Sequence, residues 1–188
     1  MILAAIALAA PLDDLAQLEV RPRAPHAGYS RARFGSRWAD VDRNRCDTRN
    51  DILARDLLDV RRDGSCVVLD GVLDDPYTGE VVVFERGPRS AAVQIDHVVP
   101  LSLAWDTGAQ LLSPAARERL ANDPLNLLAV EGRANQSKGD SGADEWMPPA
   151  RSAWCSYAAR IVAVRIRYRL WVTPDERATL TDVLEDCP

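Results

Sequence analysis

The sequence predicts an α+β domain: a small antiparallel sheet, surrounding helices and a helical pair at the C-terminus. Three observations predict it. Apolar residues recur at helical spacing in separate stretches, above all 47–62 and 150–170. Short β-branched runs bounded by Asp, Gly and Pro lie between them. Four cysteines at wide spacing, Cys46, Cys66, Cys155 and Cys187, fit a domain stapled by two disulfides. A chain of 188 residues is long enough for one real core.

In order, Met1 to Ala10 is an apolar run with small residues near Ala7-Leu8-Ala9, the core of a signal peptide without its basic start. It is too short to span a membrane. Residues 1–16 are therefore expected to be a leader and 17–188 the folded domain. Tyr29 to Gly35 mixes aromatics with arginines and reads as an anchored loop, or as a surface for nucleic acid. A helix is expected over 47–62, capped by Asp47 or Thr48, with Ile52, Leu53, Leu57, Leu58 and Val60 as its stripe. Strands follow at 66–69 and 80–85 around the turn Asp74 to Gly79. A further strand ends at Asp96-His97, before Val98-Val99-Pro100.

Leu101 to Trp105 starts a short helix, and Ser113-Pro114 opens another that closes at Asn122-Asp123-Pro124. Leu127 to Val130 is an apolar strand, followed by a short helix from about Gly132 to Gln136. The longest helix is expected over 150–170, with Arg160, Arg165, Arg167 and Arg169 as a solvated face. Thr173 caps the last helix, with Pro174 at its first position.

The cysteines contain no CxxC pair, which argues against zinc. Of the three possible pairings, Cys46–Cys66 and Cys155–Cys187 is preferred, because each pair brackets a helical stretch that must fold back. Each bridge would contribute about 3 kcal/mol. The competing picture is four buried thiols in a cytosolic enzyme. The net charge of −5 argues against a protein that grips nucleic acid by bulk electrostatics; any phosphate contact would need a local arginine patch. Arg86 and Arg89, ahead of the strand that ends at His97, are candidates. A monomer without stable membrane association is the default expectation.

The chemistry concentrates between residues 92 and 140. One piece reads Asp96-His97-Val98-Val99-Pro100-Leu101-Ser102. The other runs from Asn126-Leu127-Leu128-Ala129-Val130 to Asn135-Gln136-Ser137-Lys138-Gly139-Asp140. One of two histidines and the single lysine fall here, beside a carboxylate and two amides. Metal-assisted attack on phosphate needs such a set: a neutral imidazole, hard oxygen ligands and a cation.

These pieces resemble the HNH, or His-Me finger, nucleases, in the variant where asparagine replaces the last histidine. Tyr29-Ser30-Arg31, Cys46-Asp47-Thr48-Arg49, Asp75-Pro76-Tyr77-Thr78-Gly79 and Glu145-Trp146-Met147-Pro148-Pro149 extend the likeness. It reaches secreted bacterial HNH proteins related to the nuclease end of a restriction enzyme for modified DNA. The resemblance implies a ββα finger holding one divalent cation, Mg²⁺ or Mn²⁺, on Asp96 and Asn135. It implies His97 as general base, Asn126 holding the loop that orients His97, and Lys138 near a phosphate. The implied activity is DNA cleavage, with RNA also possible.

Two other classes compete. One is an extracellular binding module that keeps the finger without turnover, and would be marked by loss of a motif residue. The other is a serine or cysteine hydrolase, for which no GxSxG or free nucleophile is found.

Overall fold

In the computed structural model, which describes residues 11–187, two strands and a helix carry the motif residues. Strands and helices are numbered in chain order. Helix α1 (Pro11–Gln17) buries Leu15 and packs on the two C-terminal helices. The leader expected over 1–16 thus overlaps a packed helix in its last residues, while the cleavage site near Ala7 to Ala9 lies outside the described residues.

Helix α2 (Thr48–Asp56) is capped by Asp47, whose carboxylate accepts from the Asn50 N–H. The helix ends at Asp56, short of the expected Arg62. Leu57 leaves it with extended dihedrals, and Leu58 to Asp63 form strand β1 (Leu58–Asp63). Leu58 is 54% exposed, so it never belonged to a buried helical stripe. Leu57, Leu58 and Val60 satisfy the helical and the extended period alike, and pairing with β2 (Val67–Asp74) decides between them. Strand β3 (Val81–Glu85) completes a three-stranded antiparallel sheet in the order β1-β2-β3.

The second sheet has two strands, β4 (Val93–His97) and β5 (Leu127–Glu131), antiparallel, with Asp96 opposite Leu128 and His97 opposite Leu127. Helices α3 (Leu101–Asp106) and α4 (Pro114–Asn122) fill the connection, α4 capped by Ser113. Helix α5 (Gly132–Lys138) follows β5 without a loop, and the Glu131 carboxylate caps it through the Ala134 N–H at 2.6 Å. Only glycine fits at the join: a Cβ on residue 132 would lie 2.1 Å from the Ala91 carbonyl oxygen.

A two-stranded ribbon is marginal by itself. Here side chains complete its outer edge. The Ala129 N–H donates to Asp56, the Glu131 N–H donates to Asp75, and the Leu127 carbonyl accepts from Arg55. The ribbon also sits between two cores. Val93, Leu127 and Ala129 pack with Ile52, Leu53, Val68 and Phe84. Val130 packs in the larger core of α1, α3 and α4 with α6 (Trp154–Tyr168) and α7 (Pro174–Glu185).

The α6–α7 pair is joined by Cys155–Cys187, and the loop before α2 is joined to the turn ahead of β2 by Cys46–Cys66. Arg165, expected on a solvated face, is buried instead: it donates to Glu176 at 2.5 Å and to the Thr107 hydroxyl. Among the described residues no helix is long and apolar enough to cross a membrane.

Candidate functional site

Asp96 and His97 are neighbours on β4, so along a regular strand they face opposite sides. Pairing ends at His97, and there a cavity of about 310 Å³ opens. Asp96, His97 and Asn135 all line it, together with Tyr29, Arg31 and Asp140. Both neighbours thus border one cavity at the strand's end.

His97 is held by one ring nitrogen, Nε2, 2.9 Å from the Ala121 carbonyl oxygen. A carbonyl only accepts, so Nε2 carries the hydrogen and Nδ1 keeps the lone pair. Trp38 lies parallel to the imidazole at 6.5 Å between centroids. Burial lowers the imidazole from its ordinary value of 6.5 to about 4, against a smaller opposing effect of the Ala121 bond. The ring is neutral at pH 7 and able to take a proton.

Asn126, fully buried, splints the chain just beyond His97. Its Oδ1 accepts from the Val99 N–H at 2.8 Å, its Nδ2 donates to the Val99 carbonyl, and its own carbonyl accepts from the Val98 N–H.

Asp96 is buried and engaged through both oxygens. The Tyr77 hydroxyl donates to Oδ2 at 2.6 Å, and Lys138 Nζ lies 2.9 Å from Oδ1. Burial first, then the charge of Asp96, raises the Tyr77 hydroxyl well above the usual phenol range, so it stays a donor. Lys138 is 1% exposed and also donates to the His97 carbonyl. It is thus buried against Asp96 and is not among the residues that line the cavity.

Arg86 and Arg89 are not at the cavity either. Arg86 is spent on the Val68 carbonyl and Asn50, and Arg89 pairs with Glu85 on the surface. The arginine that does reach the cavity is Arg31, on the 3-10 turn Arg31–Phe34. Its segment carried the one usable signal, aromatics beside arginines; nothing in the sequence marked Trp38 or Tyr77 as neighbours of the motif.

A divalent cation fits the donors present. A carboxylate has about four lone-pair positions, of which Asp96 uses two. The Asn135 amide nitrogen is anchored on Gln94 Oε1 at 2.8 Å, which leaves its oxygen as the free donor. Asp140 adds a carboxylate at the same cavity. The described residues hold no cluster of three or more His, Cys, Asp or Glu built for a metal. The set is therefore hard, oxygen-only and sparse, suited to an ion that keeps several waters.

The family model described as GmrSD restriction endonucleases, C-terminal domain, matches residues 47–183, from the cap of α2 into α7. The chain belongs to that family. The match takes in all of Asp96, His97, Asn126 and Asn135. The GmrSD C-terminal domain family ties the protein to nuclease chemistry and so to nucleic acid as substrate. The chain is also 41% identical over 175 residues to an "Uncharacterized secreted protein" of Arthroderma benhamiae (strain ATCC MYA-4681 / CBS 112371), covering 92% of this chain and 82% of that protein. That likeness does not establish the bacterial source expected above. No solved structure matches.

Proposed function

We propose that this protein is a secreted, metal-dependent endonuclease of HNH type that hydrolyses DNA, acting as a monomer. The observation that carries the reading is the orientation of His97. Its Nε2–H is held by a backbone carbonyl, which leaves the lone pair on Nδ1, and the residue borders a cavity shared with Asp96 and Asn135.

Bound on Asp96 and Asn135, Mg²⁺ or Mn²⁺ would supply charge stabilisation at the phosphate and at the leaving oxygen. His97 takes one proton from a water molecule, a contribution of about 10²- to 10⁴-fold. The hydroxide so formed attacks phosphorus, the bond to the 3′ oxygen breaks, and that oxygen is protonated from solvent. The products are a 5′-phosphate and a 3′-hydroxyl. Arg31 takes the phosphate contact, in place of Lys138, Arg86 and Arg89. Tyr77 and Lys138 hold the Asp96 carboxylate in one orientation, and Lys138 also ties down the His97 carbonyl. Secretion is supported by two disulfides and by the printed name of the Arthroderma benhamiae relative.

One observation favours a second reading. Asp96 is already charge-compensated by a buried ammonium, as a binding module without turnover would tolerate. Plasmid cleavage separates the two. The purified protein is incubated with Mg²⁺ or Mn²⁺, with and without chelator, beside His97→Ala and Asn135→Ala. Cleavage that needs the metal and both residues supports the nuclease. Inertness with every divalent ion, or full activity in His97→Ala, refutes it.

A further inference from the structure

A second cavity, of about 910 Å³, is built from one side of α4, the residues flanking that helix and the end of α6. Leu112, Leu125 and the ring of Tyr168 give it apolar walls, while Arg119, Arg167 and Arg169 are exposed at it. The single carboxylate there, Asp123, is buried and fully used. It accepts from Arg167 at 3.0 Å and from the Tyr168 hydroxyl at 2.6 Å, which fixes both side chains. Among the described residues Arg119 and Arg169 make no ion pair. Three guanidinium groups against one carboxylate leave a local charge of +2, on a chain whose total is −5.

This cavity is linked to the first through the chain. Its loop, Asp123 to Leu125, runs between Ala121, whose carbonyl holds His97, and Asn126, which grips Val99. An aromatic ring held by a buried acceptor, with unpaired arginines around it, is the arrangement that stacks a base and neutralises its flanking phosphates. The volume lies in the range of small-ligand sites and admits a nucleotide.

We infer that the cavity seats a single-stranded stretch of the substrate next to the cleaved phosphate, with a base on Tyr168 and phosphates on Arg119 and Arg169. The choice of occupant rests on the nuclease reading. The assignment explains how an acidic protein holds nucleic acid: through a local patch, with the rest of the surface repelling.

The test is fluorescence anisotropy of a short labelled single strand, with chelator present so that nothing is cut, across a salt series. Arg119→Glu/Arg169→Glu changes two exposed, unpaired side chains. It is expected to weaken binding about tenfold or more and to flatten the slope of log affinity against log salt by about 1.4, the value for two contacts on a single strand. Tyr168→Leu is expected to weaken binding roughly five- to 150-fold, while Tyr168→Phe keeps the ring and stays near wild type. Wild-type affinity and slope in both the double variant and Tyr168→Leu overturn the assignment. So does equal competition by polyglutamate, which would mark a site for acidic polypeptide. Arginine-dependent binding by a protein that never cleaves supports the cavity and refutes the nuclease; ordinary cleavage with unaltered affinity and KM in the variants refutes the cavity alone.

Discussion

Replacing Lys138 by Met removes one charge from a pair that has almost no access to water. The Lys138 side chain is 0% exposed and that of Asp96 is 6% exposed, at 2.9 Å. At an effective dielectric of about 20, two unit charges at that distance attract by roughly 6 kcal/mol. Desolvation of both groups offsets part of this, and deletion of one partner of a buried pair costs about 3–5 kcal/mol.

Met fills similar space, so the loss is electrostatic, plus one unsatisfied acceptor at the His97 carbonyl. Urea unfolding at neutral pH, with the disulfides intact, is expected to show a fall of about 3–5 kcal/mol at unchanged m-value. Lys138→Met/Asp96→Asn should recover much of it, because the remaining amide can still accept from Tyr77. The single variant should also gain more stability from added Mg²⁺ than wild type does, since no ammonium then competes for the carboxylate. A loss below about 1 kcal/mol in Lys138→Met, with additive effects in the double variant, would refute the reasoning.

Three further expectations follow from the geometry. Gly132→Ala drives a methyl group against the Ala91 carbonyl and should cost about 1–3 kcal/mol, read as a lower urea midpoint; an unchanged midpoint would mean that α5 can shift freely. His97 has its folded pKa at about 4, below the ordinary 6.5, so its neutral form stabilises the fold above pH 6.5 and that contribution is lost as pH falls to about 4. Wild type minus His97→Gln should therefore lose up to about 3 kcal/mol across that window, and a flat difference would contradict the burial of the ring. Arg31→Ala should raise KM for DNA severalfold with little change in circular dichroism, whereas an unaltered KM would remove Arg31 from the substrate site.

Element ends with their own chemistry were legible in the chain. Ser113-Pro114, Thr173-Pro174 and Asp47 each start a helix through a side-chain cap, because capping is local. The boundary between α2 and β1 was not legible, since the residues around Leu58 fit two periods and a partner strand, with Val72 opposite Leu58, makes the choice. At the site, the motif spacing marked Asp96, His97, Asn126 and Asn135. Lys138 was marked too, but for a phosphate; its pairing with Asp96, 42 residues earlier, and the bond from Tyr77, 19 residues before Asp96, are contacts that no period links. Arginines mislead for the same reason. Arg86, Arg89, Arg31 and Arg165 look alike as residue types, and only packing separates a surface pair, a cavity wall and a buried ion pair.

The outer rim of β5 has a bearing on life outside a cell. An unpaired strand edge is an invitation to a second chain, and proteins that leave one open tend to associate through it. With Asp56 and Asp75 on the Ala129 and Glu131 N–H groups and Arg55 on the Leu127 carbonyl, an incoming strand finds those three groups taken and meets charge instead. Neutralising that fence, for instance as Asp56→Ala/Asp75→Ala, should convert a well-behaved secreted protein into one that self-assembles through β5.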